Sequence, residues 1–359
     1  MISRISLKQL NETIIFFKQM YIGTSPLRIS FAGGGTDMPE YFEKYGGQVI
    51  SSTINLFTNI VLNQRRDDSF QAFISDYELH HKTSSFNELQ FLPGTEIAVS
   101  VVKNLNYKNG ADYFISSDVA PGSGLGGSSS LTVNCVNTIQ KIMNKNWNEK
   151  QIAEKSFDIE RNKLGHPIGK QDDYIASFGG LNLIKFEKTN IDVVPIPLSK
   201  STKDEFENNL ILFFLGTTRK SSDVLKYQLE LIKKNNQKTM IPLHSVKELT
   251  MELYDSLKNN DITKVAEMMH KGWLAKKKFA DGVSNDKIDK IYSAGIEAGA
   301  TGGKITGAGG GGHILFYCDP KKHQNLKEKM EALGLKHIPF KFYNHGPKVL
   351  NLYEEIQKN

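Results

Sequence analysis

The spacing of apolar and polar positions changes several times along the chain, and those changes predict its elements. Residues 27–32 are an apolar run that enters three glycines, Gly33, Gly34 and Gly35. Residues 49–64 are rich in β-branched and aromatic side chains and predict one or two strands, and 70–92 predict further strand and loop. Helical spacing predicts helices over 95–105, 128–144 and 149–164, the last stopped by Gly165-His166-Pro167. A helix start near Asp172, a Gly179-Gly180 break and a strand over 181–186 follow. The polar stretch 189–208, with Pro195 and Pro197, predicts a boundary between domains. Beyond it, 210–215 is an apolar strand, and helical spacing covers about 221–236, 243–258, 262–280 and 285–298. Strands at 304–306 and 313–318 flank another glycine cluster, and a helix at 321–333 and a strand at 336–342 complete the pattern. Strands and helices are segregated more than they alternate, which predicts an α+β fold.

A length of 359 residues suits two domains, predicted at 21–190 and 200–359 after an N-terminal extension at 1–20. Hydrophobic content of 39% and charged content of 23% are those of an ordinary globular protein. The net charge of +6 suits small anionic substrates and does not argue for nucleic acid. The densest basic run, Lys276-Lys277-Lys278, lies in a helix-like segment without aromatic interleaving and predicts a solvated face. Cys135 and Cys318 sit in apolar runs and predict buried thiols in a reducing, cytoplasmic compartment. No apolar run approaches the ~20 residues that span a bilayer. The patch Ile14-Ile15-Phe16-Phe17 lacks a signal-type cleavage site and predicts a short amphipathic helix or extension.

The richest chemistry lies at 118–130, Asp-Val-Ala-Pro-Gly-Ser-Gly-Leu-Gly-Gly-Ser-Ser-Ser. A strand-like run precedes it and a helix-like run follows. A glycine-rich turn that opens a helix presents unpaired N–H groups and the positive end of the helix dipole, an anion site. Two more glycine clusters flank the fold: Gly33-Gly34-Gly35-Thr36-Asp37 and the run from Gly307 to Gly312. The second and third clusters both satisfy G-x-G-x-x-G, but one match is weak because glycine turns produce it by chance. A dinucleotide unit needs a second strand ending in an acidic residue, and after Gly127 the pattern stays helical into the next helix. No G-x-x-x-x-G-K-[ST] occurs either.

Laid out at about 100° per residue, 149–164 puts Ile152, Ala153, Ser156, Phe157, Ile159 and Leu164 on one face, with Glu160 near its middle. A core-facing carboxylate must be paired, protonated or bound to a metal. Asp172 and Asp173 begin the next helix, where the plain reading is N-capping and the chemical one a general base beside a phosphate site.

Three motifs in order resemble the GHMP kinase family: Pro26 to Asp37, Pro121 to Ser130, and Lys304 to Gly312. Within the family the chain is most similar to D-glycero-D-manno-heptose 7-phosphate kinases. That likeness rests on Ala32-Gly33-Gly34-Gly35-Thr36-Asp37, on Ile159-Glu160-Arg161 and on Gly169-Lys170-Gln171-Asp172 through to Gly180. The resemblance implies an α+β fold of two domains, one like ribosomal protein S5 domain 2 and one ferredoxin-like, with ATP and sugar in the cleft between them. It implies a nucleotide cradle of Pro121, Gly122, Ser123, Gly124, Leu125, Gly126, Gly127, Ser128 and Ser129. Ser128 and Glu160 would be ligands of Mg2+, Asp172 the base and Arg28 a cation near the reacting hydroxyl. Gly34, Gly35, Thr36, Asp37, Asp173, Gly309 and Gly310 would line the sugar site, and Arg219 and Lys220 would hold the substrate's own phosphate. Gly127 stands where many members have a serine, and Asp173 where close relatives often have glutamine, so two adjacent candidates for the base remain.

The implied activity is ATP- and Mg2+-dependent phosphorylation of the anomeric C1 hydroxyl of a heptose 7-phosphate, for nucleotide-activated heptose and a surface polysaccharide. Its partner would be a small sugar phosphate, with no nucleic acid and no membrane, and the enzyme a monomer or homodimer. The alternatives are a fucokinase- or galactokinase-like anomeric kinase, a nicotinamide-dependent oxidoreductase or a non-catalytic ATP-binding regulator.

Overall fold

The computed structural model describes residues 19–75, 78–92, 94–217 and 221–358. Two long strands, β1 (Met20–Ala32) and β2 (Gly47–Gln64), pair antiparallel from Met20↔Asn63 to Ala32↔Ile50. One half of β2 carries β5 (Ala111–Ser117), then β3 (Phe70–Ile74) parallel to it, then β4 (Leu79–Thr83). The other half carries β6 (Leu181–Phe186) and β7 (Ile191–Pro195). Near the end of the chain, β12 (Lys348–Asn351) returns to pair with the start of β1. Among the described residues this makes an eight-stranded sheet. A second, four-stranded sheet runs β11 (Lys336–Ile338), β8 (Leu210–Phe214), β10 (His313–Cys318), β9 (Ala300–Ile305).

The helices pack on these sheets in two groups. With the first sheet go α1 (Pro39–Tyr45), α2 (Glu96–Leu105), α3 (Gly127–Ile142), α4 (Glu149–Phe157) and α5 (Gln171–Phe178). After α6 (Lys200–Asn208) come α7 (Ser221–Lys233), α8 (Gln237–Lys258), α9 (Val265–Lys276), α10 (Asp286–Glu297), α11 (His323–Ala332) and the terminal α12 (Leu352–Lys358). Local chemistry sets their ends. Asn148 and Gln151 form a capping box at the start of α4, and Asn285 caps α10. One apolar cluster fills the space between α2, α3 and the first sheet, around Ile60, Val101, Tyr113, Val136 and Ile139. Another surrounds the second sheet around Phe213, Trp273 and Phe316.

The structure bears out the α+β class and most elements, with four corrections. β1 begins at Met20, seven residues before the apolar run, because its first half packs a polar face. Gly23 lies against α3 so closely that a Cβ there would sit 2.2 Å from Thr138 Oγ1. The helix expected over 149–164 continues beyond Phe157 as a π-helical stretch, Asp158–Lys163. The polar stretch at 189–208 holds β7 and α6, and with the link between them it buries Ile191, Ile196 and Phe206. Lys276 is buried at the end of α9, so the basic run there is not a solvated face throughout. The extension at 1–18 lies outside the described residues. Cys135 and Cys318 are buried free thiols, and no helix among the described residues is long and apolar enough to cross a membrane.

Candidate active site

The site is built where β1 passes under the glycine loop. Arg28 is the pivot. Its backbone N–H donates to Leu125 O at 3.0 Å and its Nη1 to Gly124 O at 2.7 Å, so β1 holds the loop from below. Its Nε and Nη2 donate to Asp172 Oδ1 at 2.6 Å and Oδ2 at 2.5 Å, a bidentate pair. Asp172 is in the first turn of α5, so β1, the loop and α5 meet at one guanidinium.

The loop itself requires its glycines unequally. Gly126 takes φ +77° as the N-cap of α3, and no side chain caps that helix. The first N–H groups of α3 therefore stay available to an anion. Pro121, Gly122, Gly127 and Ser128 line a cavity of about 510 Å³ with Ile74, Ile97, Ile115, Val119, Leu131 and Leu164 on its apolar side. That volume lies within the ~300–1,000 Å³ of small-molecule sites. Other parts of the loop face inward. Leu125 is core, Ser123 O accepts from His313 Nδ1, and Ser129 is buried. Ser130 bonds to Ser25 O and Thr58 Oγ1, which joins α3 to the sheet. From Gly127 the chain runs through α3 to α4 with no strand between them, as the sequence predicts.

Glu160 is fully buried in the π-helical stretch, a geometry frequent at functional sites. Its Oε1 has no partner among the described residues, and its Oε2 faces His166 Nδ1 at 3.4 Å. The Glu160 carboxylate raises the His166 imidazole above its ordinary value, against the opposing effect of burial. His166 lines the 510 Å³ cavity with Ser128, which places the carboxylate behind the wall of that cavity. Asp173 is also fully buried, and neither of its carboxylate oxygens has a partner among the described residues. Burial, then the charges of Glu160 and Asp172, push its carboxyl well above the usual range.

A second, smaller cavity of about 70 Å³ lies on the other side of Arg28 and Asp172. Gly34, Gly35 and Asp37 contribute from the first glycine cluster, Gln171 from α5, Gln228 from α7, Lys276 from α9, and Gly307 and Ala308 from the third cluster. Asp37 accepts from Gly35 N at 2.8 Å and Gln171 N at 3.2 Å, and burial raises its carboxyl. Thr36 serves the loop instead of the cavity, since its hydroxyl bonds to Gly33 O and to Gln48. Gly309 and Gly310 pack on Val283, and Gly310 N–H is taken by Val283 O at 2.8 Å. Asp173 does not line this cavity, and Arg219 and Lys220 lie outside the described residues. A larger cavity of about 640 Å³ near Lys150 and Asn190 is lined by charges already joined in pairs such as Arg161–Glu40 and Lys170–Glu154.

Three lining residues were missed by sequence reasoning. Lys276 donates to Gly307 O from the end of α9, and burial pushes its amine down to about 8. Gln171 carried a signal only as the neighbour of Asp172. Gln228 carried none, because a lone glutamine on an amphipathic helix reads as surface.

The chain is similar to known proteins over most of its length. The model of the GHMP kinases N terminal domain matches residues 96–180, and that of the GHMP kinases C terminal matches 253–335. The D-glycero-alpha-D-manno-heptose 7-phosphate kinase of Campylobacter jejuni subsp. jejuni serotype O:2 is 32% identical, over 90% of this chain and 97% of its own length. The bifunctional fucokinase/GDP-fucose pyrophosphorylase of Arabidopsis thaliana is 27% identical over 89% of this chain, which spans 32% of that longer protein. A solved D-glycero-D-manno-heptose 1-phosphate kinase from Bacteroides thetaiotaomicron matches with TM-score 0.77 at 24% identity, over 93% of this chain and 99% of its own. A solved Campylobacter jejuni structure matches with TM-score 0.76 at 31% identity, over 93% and 98%.

Proposed function

Because the chain belongs to the GHMP kinase family of phosphotransferases, we propose that it uses ATP to phosphorylate the anomeric C1 hydroxyl of D-glycero-D-manno-heptose 7-phosphate. The product would be the 1,7-bisphosphate, for nucleotide-activated heptose and a surface polysaccharide. The observation that carries this reading is the Arg28–Asp172 pair, set between an anion-binding loop and a small polar cavity. The choice of sugar rests on the relative at 32% identity. Residues 21–190 would form the ATP-binding unit and 200–359 its partner.

The roles follow from the chemistry of each group. The N–H groups that open α3 at Gly127 and Ser128, within the cradle of 121–129, hold the phosphates, and the apolar wall of Ile97, Ile115 and Leu131 receives the base. A buried carboxylate oxygen without a partner, Glu160 Oε1, suits a cation, so Glu160 with Ser128 would hold Mg2+. Mg2+ supplies charge neutralisation at the β- and γ-phosphates. Asp172 accepts the hydroxyl proton. Its bidentate bond uses one acceptor position on each oxygen and leaves the others open. Arg28 also lowers the cost of negative charge on the attacking oxygen. A strong base is not required, since phosphoryl transfer is mostly positioning and electrostatics. Asp37, with Gly34 and Gly35, holds the sugar hydroxyls, and Arg219 and Lys220 would hold the substrate's phosphate.

ADP release is the direct test, run over heptose 7-phosphate, fucose and galactose. Turnover of the unphosphorylated sugars but not of heptose 7-phosphate would overturn the choice of substrate. Asp172→Asn should bind ATP as before with kcat lower by the ~10² to 10⁴ of a lost acid–base group. Should Asp173→Asn show that loss instead, the base is Asp173. Glu160→Gln should raise the Mg2+ concentration needed for half-maximal rate, and an unchanged titration removes it as a ligand.

A further inference from the structure

Two side-chain amides sit against Gly34 and Gly35 in the small cavity. A Cβ on Gly34 would lie 3.6 Å from Gln171 Nε2, and one on Gly35 would lie 3.0 Å from Gln228 Nε2. Both glutamines line the cavity that holds Asp37, Arg28 and Asp172. Gln228 is 2% exposed, and its Nε2 is buried without a partner among the described residues. Gln171 Oε1 is likewise buried without a partner among them. Buried polar groups in native proteins are nearly always bonded, so unpartnered groups beside a cavity mark a place where a ligand completes them.

The two orphan atoms differ in kind. Gln228 Nε2 is a donor and Gln171 Oε1 an acceptor. A phosphate could accept from Gln228 and face the Arg28 and Lys276 cations of the same cavity, but it brings no donor to Gln171 Oε1, and Arg28 is already paired with Asp172. Apolar groups satisfy neither atom. A hydroxyl both donates and accepts, so neighbouring hydroxyls of a neutral polyol satisfy both.

We propose that Gln171 and Gln228 read the sugar, with Gln171 Oε1 accepting from and Gln228 Nε2 donating to hydroxyls next to the one that reacts. The proposal rests on the sugar kinase reading above. Gln171 comes from the helix that carries Asp172, and Gln228 from the half of the chain that carries the second sheet. Sugar binding therefore bridges the two halves at the point where the hydroxyl must meet the phosphoryl group. Both are specificity residues with no part in proton transfer.

The test is calorimetric binding of D-glycero-D-manno-heptose 7-phosphate without nucleotide, beside steady-state kinetics. Gln228→Met and Gln171→Met keep the side-chain length and remove the amide. Each should weaken sugar binding about 10-fold, the effect of one lost buried hydrogen bond, while the KM for ATP stays within twofold. Gln228→Glu keeps the shape without the donor and should lose as much as Gln228→Met. With 2-deoxy and 3-deoxy analogues, one analogue should bind wild type and Gln228→Met equally. Sugar affinity unchanged in both methionine variants overturns the proposal. So does a loss equal for ATP and sugar, or one that no deoxy analogue removes. Wild type that binds the heptose phosphate with the expected variant losses, yet transfers no phosphoryl group, overturns the kinase reading and leaves the amides' role standing.

Discussion

Lys276 shows what a side chain's own sequence neighbourhood fails to reveal. In the run Lys276-Lys277-Lys278, Lys277 pairs with Asp289 at 2.8 Å and Lys278 is exposed, as a solvated face requires. Lys276 points the other way, into the cavity beside Arg28, and burial followed by the Arg28 charge lowers its amine from 10.5 to about 8. The sign of the consequence follows from proton counting. Between about 8 and 10.5 the folded chain binds fewer protons at this site than the unfolded chain, so this group makes stability rise with pH across that window. The contribution reaches about 3 kcal/mol at most. Lys276→Met removes the group, so the stability of wild type relative to the variant should climb between pH 7.5 and pH 10 in urea unfolding. Parallel pH profiles would show that the amine is not perturbed. Glu160, by contrast, was legible, because a carboxylate amid apolar positions at helical spacing declares its own burial. Lys276, Gln171 and Gln228 did not, because the same helical face can cover a core or line a cavity, and only the packing of α7 and α8 over Gly35 and of α9 at Gly307 decides which.

At the scale of elements, the glycine loops show that one motif holds residues with different duties. Gly124 has φ +82°, and a Cβ there would sit 2.8 Å from Thr306 O. Gly307 has φ +62°, and its Cβ would meet Gly124 Cα at 2.7 Å. The second and third glycine clusters are thus in backbone contact, which their separation in sequence gives no means to foresee. Gly127 is different, with no positive φ and nothing within 4 Å of its Cβ. Gly124→Ala and Gly307→Ala should each cost about 1–3 kcal/mol, through strained backbone and close contact. Their sum should exceed the double variant's loss, since both relieve or strain one contact. Gly127→Ser should leave the melting temperature within about a degree of wild type, in keeping with the open space around its Cβ; a large drop would mean the loop has no room. The pattern of strands and helices was otherwise readable, because most elements bury an apolar stripe of the right period. What escaped were β7 and α6, which bury few side chains, the short α1, and the early half of β1, where Gly23 lies against Asn134 and Ser25 O accepts from Ser130. β12 escaped as well, for its four residues signal nothing until β1 is there to pair with.

For the whole molecule, the two sheets share one core, which bears on how the chain unfolds. Leu27, Ile29, Phe31 and Leu183 of the first sheet pack in one cluster with Leu212 and Leu315 of the second and with Leu253 and Met269 of α8 and α9. Lys304 of β9 donates to Ser30 O at 2.7 Å and Phe31 O at 3.3 Å, so a strand of the second sheet is tied to the strand that carries Arg28. The chain then crosses back. Tyr343 N donates to Thr53 O at 2.9 Å, Gly180 N to Tyr343 O at 3.2 Å, and β12 closes on β1. Interfaces between independent domains are usually more polar, and they let each side fold alone. Here, removing either half would expose apolar side chains that are fully buried in the other's presence, and removing the later half would also leave β1 without its edge partner β12. Calorimetry should therefore give one transition, with calorimetric and van't Hoff enthalpies equal. The segment 19–196, expressed alone, should lack the near-ultraviolet dichroism of packed aromatic side chains. Two resolved transitions in the whole chain, or a cooperative melt of the segment alone, would show that the shared cluster is an interface and not a core. In that case the bridge from Gln171 to Gln228 would have to form on sugar binding, and the melting temperature should then respond to the sugar in one of the two transitions only.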